Sequence, residues 1–166
     1  PGLRLGAAVL PQKLAESVVN LKYINDLNTS KLTQAALDIF IKSGMYEKHV
    51  KKVKKSYEVK LRKAKEIIST LSPKNLIWHI PDNGIFIWVK LPEYIDIISL
   101  KNNLKKCGIL INSTEEYFLK EEWEERDSNY LRLCISSVPE EDISSITDII
   151  SEIRILMEAH GESDVT

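Results

Sequence analysis

The 166-residue sequence contains only two cysteines, too few for a framework of disulfide bonds. The spacing of Cys107 and Cys134 suits no metal site, so we predict two reduced, buried thiols in a cytoplasmic protein. No stretch approaches the roughly 18–20 apolar residues needed to span a bilayer, and no signal-peptide pattern opens the chain. The first residue is Pro1, so we expect either a processed start or a piece of a longer protein.

Net charge is nearly absent as well. A formal charge of -1 at pH 7 gives no overall attraction to nucleic acid or to a membrane. The composition, 43% hydrophobic and 28% charged, is typical of an ordinary globular domain that buries a sizeable core. Residues 48–65 hold nine basic side chains, but they follow an amphipathic helix, and 115–127 carries seven carboxylates that balance them. A solvated helix face is therefore favoured over a nucleic-acid groove.

Motifs for several chemistries are missing. The three histidines, His49, His79 and His160, are scattered, with no spacing that predicts a metal site. Gly2 and Gly6 do not form the G-x-G-x-x-G spacing of a dinucleotide-binding turn. No serine lies in the context of a nucleophile elbow. These absences leave metal, dinucleotide and serine-hydrolase chemistry without a candidate site.

Arginine is scarce, and two of the five arginines have unusual neighbours. The chain uses 18 lysines, yet Arg4 lies in the apolar "LRLGAAVLP" and Arg132 in the apolar "YLRLCISSV". A buried guanidinium is costly unless it is paired, and its planar fork suits a carboxylate or a phosphate. From the residues alone, a ligand site and a buried structural salt bridge are equally favoured.

The first half of the chain has helical periodicity after one apolar segment. We predict that "LRLGAAVLP" is a buried strand ended by Pro11, since it is a short apolar run. Three helices are then expected, with Thr29 or Ser30 as the cap of the second and Gly44 as its stop. Apolar residues at steps of three and four extend the third helix to Leu71. The predicted helices cover 12–23, 31–42 and 45–71.

In the second half the pattern alternates between strands and helices. We predict strands at "LIWHIP" and "IFIWVKL", joined by the turn "PDNG", and further strands at "ILINS" and "YLRLCISSV". Helices are expected at "IDIISLKNNLKKC", stopped by Gly108, and over 139–159. The segment 115–129 is predicted to be a polar loop. The fold class is therefore mixed, a helical first half followed by an α+β half with a small sheet covered by helices.

Four motifs in order make the chain similar to a known family. "PGLRLG", "NTSKLTQAAL", "NGIFIW" and "NYLRLCIS" resemble the C-terminal third to half of class I/II aminotransferases of fold type I. The closest likeness is to the aminotransferase-like domain of GntR-type transcription regulators of the MocR group. The resemblance implies an α/β transferase fold with its cofactor, pyridoxal 5'-phosphate (PLP). Residues 1–44 would end the large PLP-binding domain, and 45–166 would form a long linking helix and the small domain.

The resemblance assigns roles to both unusual arginines. Arg4 matches the arginine that helps to bind the cofactor phosphate, and Arg132 matches the arginine that binds the α-carboxylate of the substrate. On a strand, Arg132 would share its face with Tyr130 and Cys134, towards the cleft between the domains. "NGIFIW" matches a G-G-x-F-x-W element near the substrate entrance, with Asn83 in place of the first glycine. Where the family often has P-G-x-x-F, this chain has "NSTEEYF", which leaves substrate specificity open.

The family's Schiff-base lysine would lie about four residues before Pro1, so the chain alone is expected to lack transamination activity. The resemblance implies an amino acid or 2-oxo acid ligand, a homodimer, no contact with a membrane, and no direct binding of nucleic acid by this part. Three interpretations remain: the effector domain of a GntR/MocR-type regulator, part of a working aminotransferase, or a free-standing ligand-binding α+β module.

Overall fold

A computed structural model describes residues 2–111, 114, 117 and 129–161. The chain divides into two compact units, Pro1–Val53 and Lys54–Thr166. The division falls inside the longest helix, α3, which runs from Met45 to Leu71. The predicted polar loop at 115–129 lies outside the described residues except for Tyr117 and Asn129.

The first unit contains two complete helices and no buried residue among those described. The first helix, α1, spans Gln12–Asp26, three residues longer than predicted, and the second, α2, spans Lys31–Lys42 as predicted. Ser30 caps α2, because its hydroxyl accepts a hydrogen bond from the Thr33 amide at 3.5 Å. Gly44 follows with φ +73°, a value that suits glycine at a helix end.

The predicted buried strand at the start of the chain is wrong. Residues 4–11 form no strand, and Leu3 and Leu10 are 45% and 37% exposed. A strand needs a neighbour to pair with its amides and carbonyls, and no described strand lies beside this segment. Arg4 also has φ +52°, a left-handed conformation that interrupts an extended chain.

The second unit is built on a three-stranded antiparallel sheet in the order β1-β2-β3. Its strands are Ile77–His79 (β1), Phe86–Lys90 (β2) and Tyr130–Cys134 (β3). The predicted strand at "ILINS" does not form in its described part, 109–111, and its last two residues lie outside the described chain. The predicted hairpin between β1 and β2 and the predicted strand that contains Arg132 are confirmed.

The described part of this unit contains two further helices. The helix α4 spans Ile97–Lys106, and α5 spans Ile146–Ala159 after a 3-10 turn over Glu141–Ser145. Asp96 caps α4: its carboxylate accepts hydrogen bonds from the Ser99 hydroxyl and from two backbone amides. These bonds lower the pKa of the Asp96 carboxyl.

One core lies on one face of the sheet. It contains alternate residues of β2 and β3 together with the apolar sides of α3, α4 and α5. Burial of apolar side chains of this size stabilises a domain by roughly 1.5–3 kcal/mol each. The residues at its centre, each exposed by less than 2%, include Ile87, Val89, Leu100, Leu131 and Ile153.

Lys60 is the exception to the predicted solvated face of α3. The side chain is only 7% exposed, and its Nζ donates to the carbonyl oxygens of Ile135 and Ser136, each at 3.2 Å. The prediction that this basic stripe is solvated is therefore wrong for Lys60, while Lys63 and Lys65 pair with Glu140 and Asp82 at the surface. Within this basic stripe, the buried ammonium of Lys60 connects α3 to the segment after β3.

Replacing Lys60 by methionine is expected to lower the free energy of unfolding by about 1–3 kcal/mol, because one buried and one half-buried carbonyl lose a charged donor. Lys55→Met is the matched control, since Lys55 is an exposed lysine of the same helix. Urea unfolding of the two variants gives the comparison. Equal midpoints for both variants would show that the Lys60 bonds contribute nothing to stability.

Candidate functional site

The face of the sheet that points away from the core carries aromatic and cationic side chains. On β2, half-buried Phe86, Trp88 and Lys90 alternate with buried Ile87 and Val89. The same alternation on β3 separates Tyr130, Arg132 and Cys134 from the buried leucines between them, as predicted for a strand. We call the six residues Phe86, Trp88, Lys90, Tyr130, Arg132 and Cys134 the open face.

Arg132 lies opposite Trp88 in the register of β2 and β3. The Cζ atom of its guanidinium is 4.2 Å from the centroid of the Phe86 ring and 3.8 Å from that of the Tyr117 ring. One terminal nitrogen, Nη2, donates a hydrogen bond to the Tyr117 hydroxyl. The guanidinium is thus held against two aromatic rings, an arrangement that stabilises a cation by about 0.5–2 kcal/mol per ring.

The guanidinium of Arg132 has no anionic partner among the described residues. The four ion pairs of that part of the chain involve other side chains. The Nε atom of Arg132 is buried and has no hydrogen-bond acceptor there. A buried N–H without an acceptor costs about 1–3 kcal/mol, so this edge of the guanidinium is suited to a ligand oxygen.

Arg4 differs from its sequence-based description. The sequence predicts a buried guanidinium, but Arg4 is exposed and makes no hydrogen bond or ion pair with the described residues. The reason is the missing strand: without a paired neighbour, the segment around Arg4 is not covered. All its N–H groups are available to an anion. Arg4 belongs to the first unit and Arg132 to the second.

The "NGIFIW" element supplies two side chains of the open face, Phe86 and Trp88. Asn83, in the turn that precedes β2, does not have a positive φ. The turn requires glycine at position 84, because a Cβ atom there would come within 3.1 Å of the Pro81 ring. The element therefore places the Phe86 ring against Arg132 after a turn that leaves little room for a side chain at Gly84.

A cavity of about 600 Å³ runs along the outer edge of β3. It is lined by Arg132, both cysteines and a largely apolar wall from α5 and the segment before it. The prediction of buried thiols is wrong: Cys107 and Cys134 are both exposed, and the Cys134 sulfur lies 3.1 Å from the Ser136 hydroxyl. Cys134 is exposed because it follows Arg132 on the open face, a consequence of strand alternation.

The histidines do not come together. His160 stacks on Tyr94 with ring centroids 5.0 Å apart, and His79 is exposed on β1. Within 2–111, 114, 117 and 129–161, no three His, Cys, Asp or Glu side chains form a group that could hold a metal ion. In the same ranges, no helix combines the length and the apolar character of a membrane span.

Sequence reasoning missed the partners of Arg132. Tyr117 is 15 positions away and contacts Arg132 from outside the sheet, so no periodicity connects the two. Phe86 could have been found, since strand alternation places it on the same side of β2 as Trp88. The missing information was the pairing of β2 with β3, which brings that side next to Arg132.

Curated relatives of the chain are regulators and aminotransferases. The chain is 33% identical over 147 residues to the uncharacterized HTH-type transcriptional regulator YcxD of Bacillus subtilis, covering 86% of this chain and 32% of the relative. It is 26% identical to aromatic-amino-acid aminotransferase 1 of Thermococcus litoralis, covering 86% and 33%. The chain thus spans about a third of the length of these relatives. A comparison with models of protein families finds no match.

A solved structure confirms the predicted fold class. The α-aminoadipate aminotransferase LysN of Thermus thermophilus, solved with N-(5'-phosphopyridoxyl)-L-leucine, superposes with a TM-score of 0.80 at 22% identity. The match covers 96% of this chain and 40% of LysN. The chain has the fold of part of an aminotransferase, and its predicted similarity to HTH-type regulators and aminotransferases is confirmed.

Proposed function

We propose that this chain belongs to the aminotransferase-like, PLP-binding part of a GntR/MocR-type transcription regulator, in which Arg132 binds the carboxylate of an amino acid or 2-oxo acid. The observation that carries the proposal is the guanidinium of Arg132, which lies against two rings and has no carboxylate partner among the described residues. The similarity to YcxD, an HTH-type regulator, supports the regulatory role. The whole protein would be a cytoplasmic homodimer that binds DNA through another domain.

Arg4 fits a role toward the cofactor phosphate. Its guanidinium is exposed and has no acceptor among the described residues, so its donors are free for a doubly charged oxyanion. PLP, when bound, supplies the electron sink for loss of the Cα proton. The contribution of Arg132 is orientation: a fork that binds both carboxylate oxygens restricts rotation of the ligand and directs its Cα–H bond.

A working aminotransferase is the second candidate, because the Thermococcus litoralis enzyme matches as much of this chain as YcxD does. The two candidates differ in what the full-length protein does with PLP, an amino acid and a 2-oxo acid. A regulator changes its affinity for its operator DNA when the amino acid is added, without transfer of the amino group. An aminotransferase converts the added 2-oxo acid into the corresponding amino acid at a steady rate.

Replacing Arg4 by alanine in the full-length protein is expected to weaken PLP binding by about 1–3 kcal/mol, because a charge-assisted contact to the phosphate is lost. Titration with PLP followed by absorbance measures the change. Arg62→Ala is the control, since Arg62 is an exposed arginine on α3. If the Arg4 variant bound PLP as tightly as the Arg62 variant, the phosphate role of Arg4 would be excluded.

A further inference from the structure

The guanidinium of Arg132 lies against two aromatic rings. Phe86 and Tyr117 have their ring centroids 4.2 and 3.8 Å from Cζ. Such contacts shield part of the guanidinium from water, and its remaining N–H groups are left to bind a ligand oxygen. A ligand that reaches these N–H groups lies beside the side chains that already contact them.

The Tyr117 hydroxyl is a described hydrogen-bond partner of these N–H groups. It accepts a hydrogen bond from Nη2 of Arg132, and an accepting phenol keeps its own O–H proton for another acceptor. The Tyr117 ring is supported by the edge of Trp88, with centroids 6.2 Å apart and planes at 80°. Next to it, the buried Nε of Arg132 lacks an acceptor among the described residues.

From this geometry we infer that Tyr117 is a second ligand-contacting residue, whose hydroxyl donates to the same carboxylate that Arg132 binds. The inference rests on the proposed function of Arg132. Both carboxylate oxygens accept from the guanidinium, and one of them also accepts from the phenol, whose O–H is polarised by the bond that it accepts from Nη2. The ligand class is a carboxylate whose two oxygens are both free, as in an amino acid or a 2-oxo acid.

The test removes the hydroxyl and keeps the ring. In Tyr117→Phe the stacking on Arg132 persists, and the dissociation constant for the probe 2-oxoglutarate is expected to rise about tenfold, the effect of one hydrogen bond to a charged group. The probe is titrated into the 166-residue chain labelled with ¹⁵N at arginine, and the Nε–H resonance of Arg132 is followed. Tyr57→Phe, which removes a phenol from α3, is the control and should leave the dissociation constant unchanged.

A Tyr117→Phe variant that binds 2-oxoglutarate as tightly as wild type, or more tightly, would overturn the role of Tyr117. If binding then still fell in Arg132→Lys, the proposed function would stand and only this inference would fail. An absence of any probe-dependent shift at Arg132 in the wild-type chain would overturn both. A second variant, Tyr117→Leu, removes ring and hydroxyl together, and its dissociation constant should rise at least as much as that of Tyr117→Phe.

Discussion

Arg132→Lys is expected to remove most of the response of the full-length protein to its amino acid while the melting temperature changes by a few degrees at most. Lysine keeps the positive charge but lacks the planar fork that binds two oxygens and stacks on rings. The loss of bidentate geometry should weaken ligand binding at least tenfold. Calorimetric titration with the twenty amino acids measures the ligand affinity, and thermal unfolding measures the melting temperature. Cofactor affinity should be unaffected.

The competing interpretation of Arg132, a buried structural ion pair, makes the opposite prediction. Truncation to alanine would then leave an uncompensated charge and cost about 3–5 kcal/mol of stability, with ligand affinity intact. Arg154→Lys is the control, because Arg154 is half-buried and donates to the Leu71 carbonyl at 2.7 Å, away from the open face. A large fall in melting temperature together with unchanged amino-acid affinity would reject the ligand role.

Hydrogen exchange is expected to separate the two units of the 166-residue chain by a factor on the order of 100 or more in amide protection. No described residue up to Val53 is buried, and helices of 15 and 12 residues, such as α1 and α2, are marginal without packing. The buried core lies wholly in the second unit. Mass-spectrometric exchange should therefore find fast amides in α1 and α2 and slow amides in β2, β3 and α5.

The helix α3 is an internal control for the exchange experiment. Its first residues belong to the first unit, and its buried residues belong to the second. Protection should rise along this helix from Met45 to Ile68. Equal protection of α1 and α5 would contradict the prediction, because it would require the amides of α1 to be shielded by packing.

Much of the fold could be predicted because its signals are local. The apolar period of α3, the cap Ser30 and the glycine stops depend on neighbours in sequence, and α2 and α3 have their predicted bounds. The two strand predictions that failed, at the start of the chain and at "ILINS", share a cause. An apolar run predicts a strand, but a strand forms only where a partner is paired with it.

The candidate site was predictable only in part. Strand alternation placed Arg132, Tyr130 and Cys134 on one face, as observed. The stacking of Phe86 and Tyr117 on Arg132 depends on pairings between distant segments, which no local pattern contains. The burial of Lys60 was missed for the same reason, since its acceptors follow β3.

The bonds of Lys60 also bear on the order in which the chain folds. Its acceptors lie 75 and 76 positions further along, so these bonds close a long loop. The entropic cost of loop closure rises with length, and contacts of long range form after local ones have lowered that cost. We expect α3 and the hairpin of β1 and β2 to form early. The hydrogen bonds between Lys60 and the residues that follow Cys134 should form later in folding. We therefore expect the segment that follows Arg132 to reach its native surroundings late in folding.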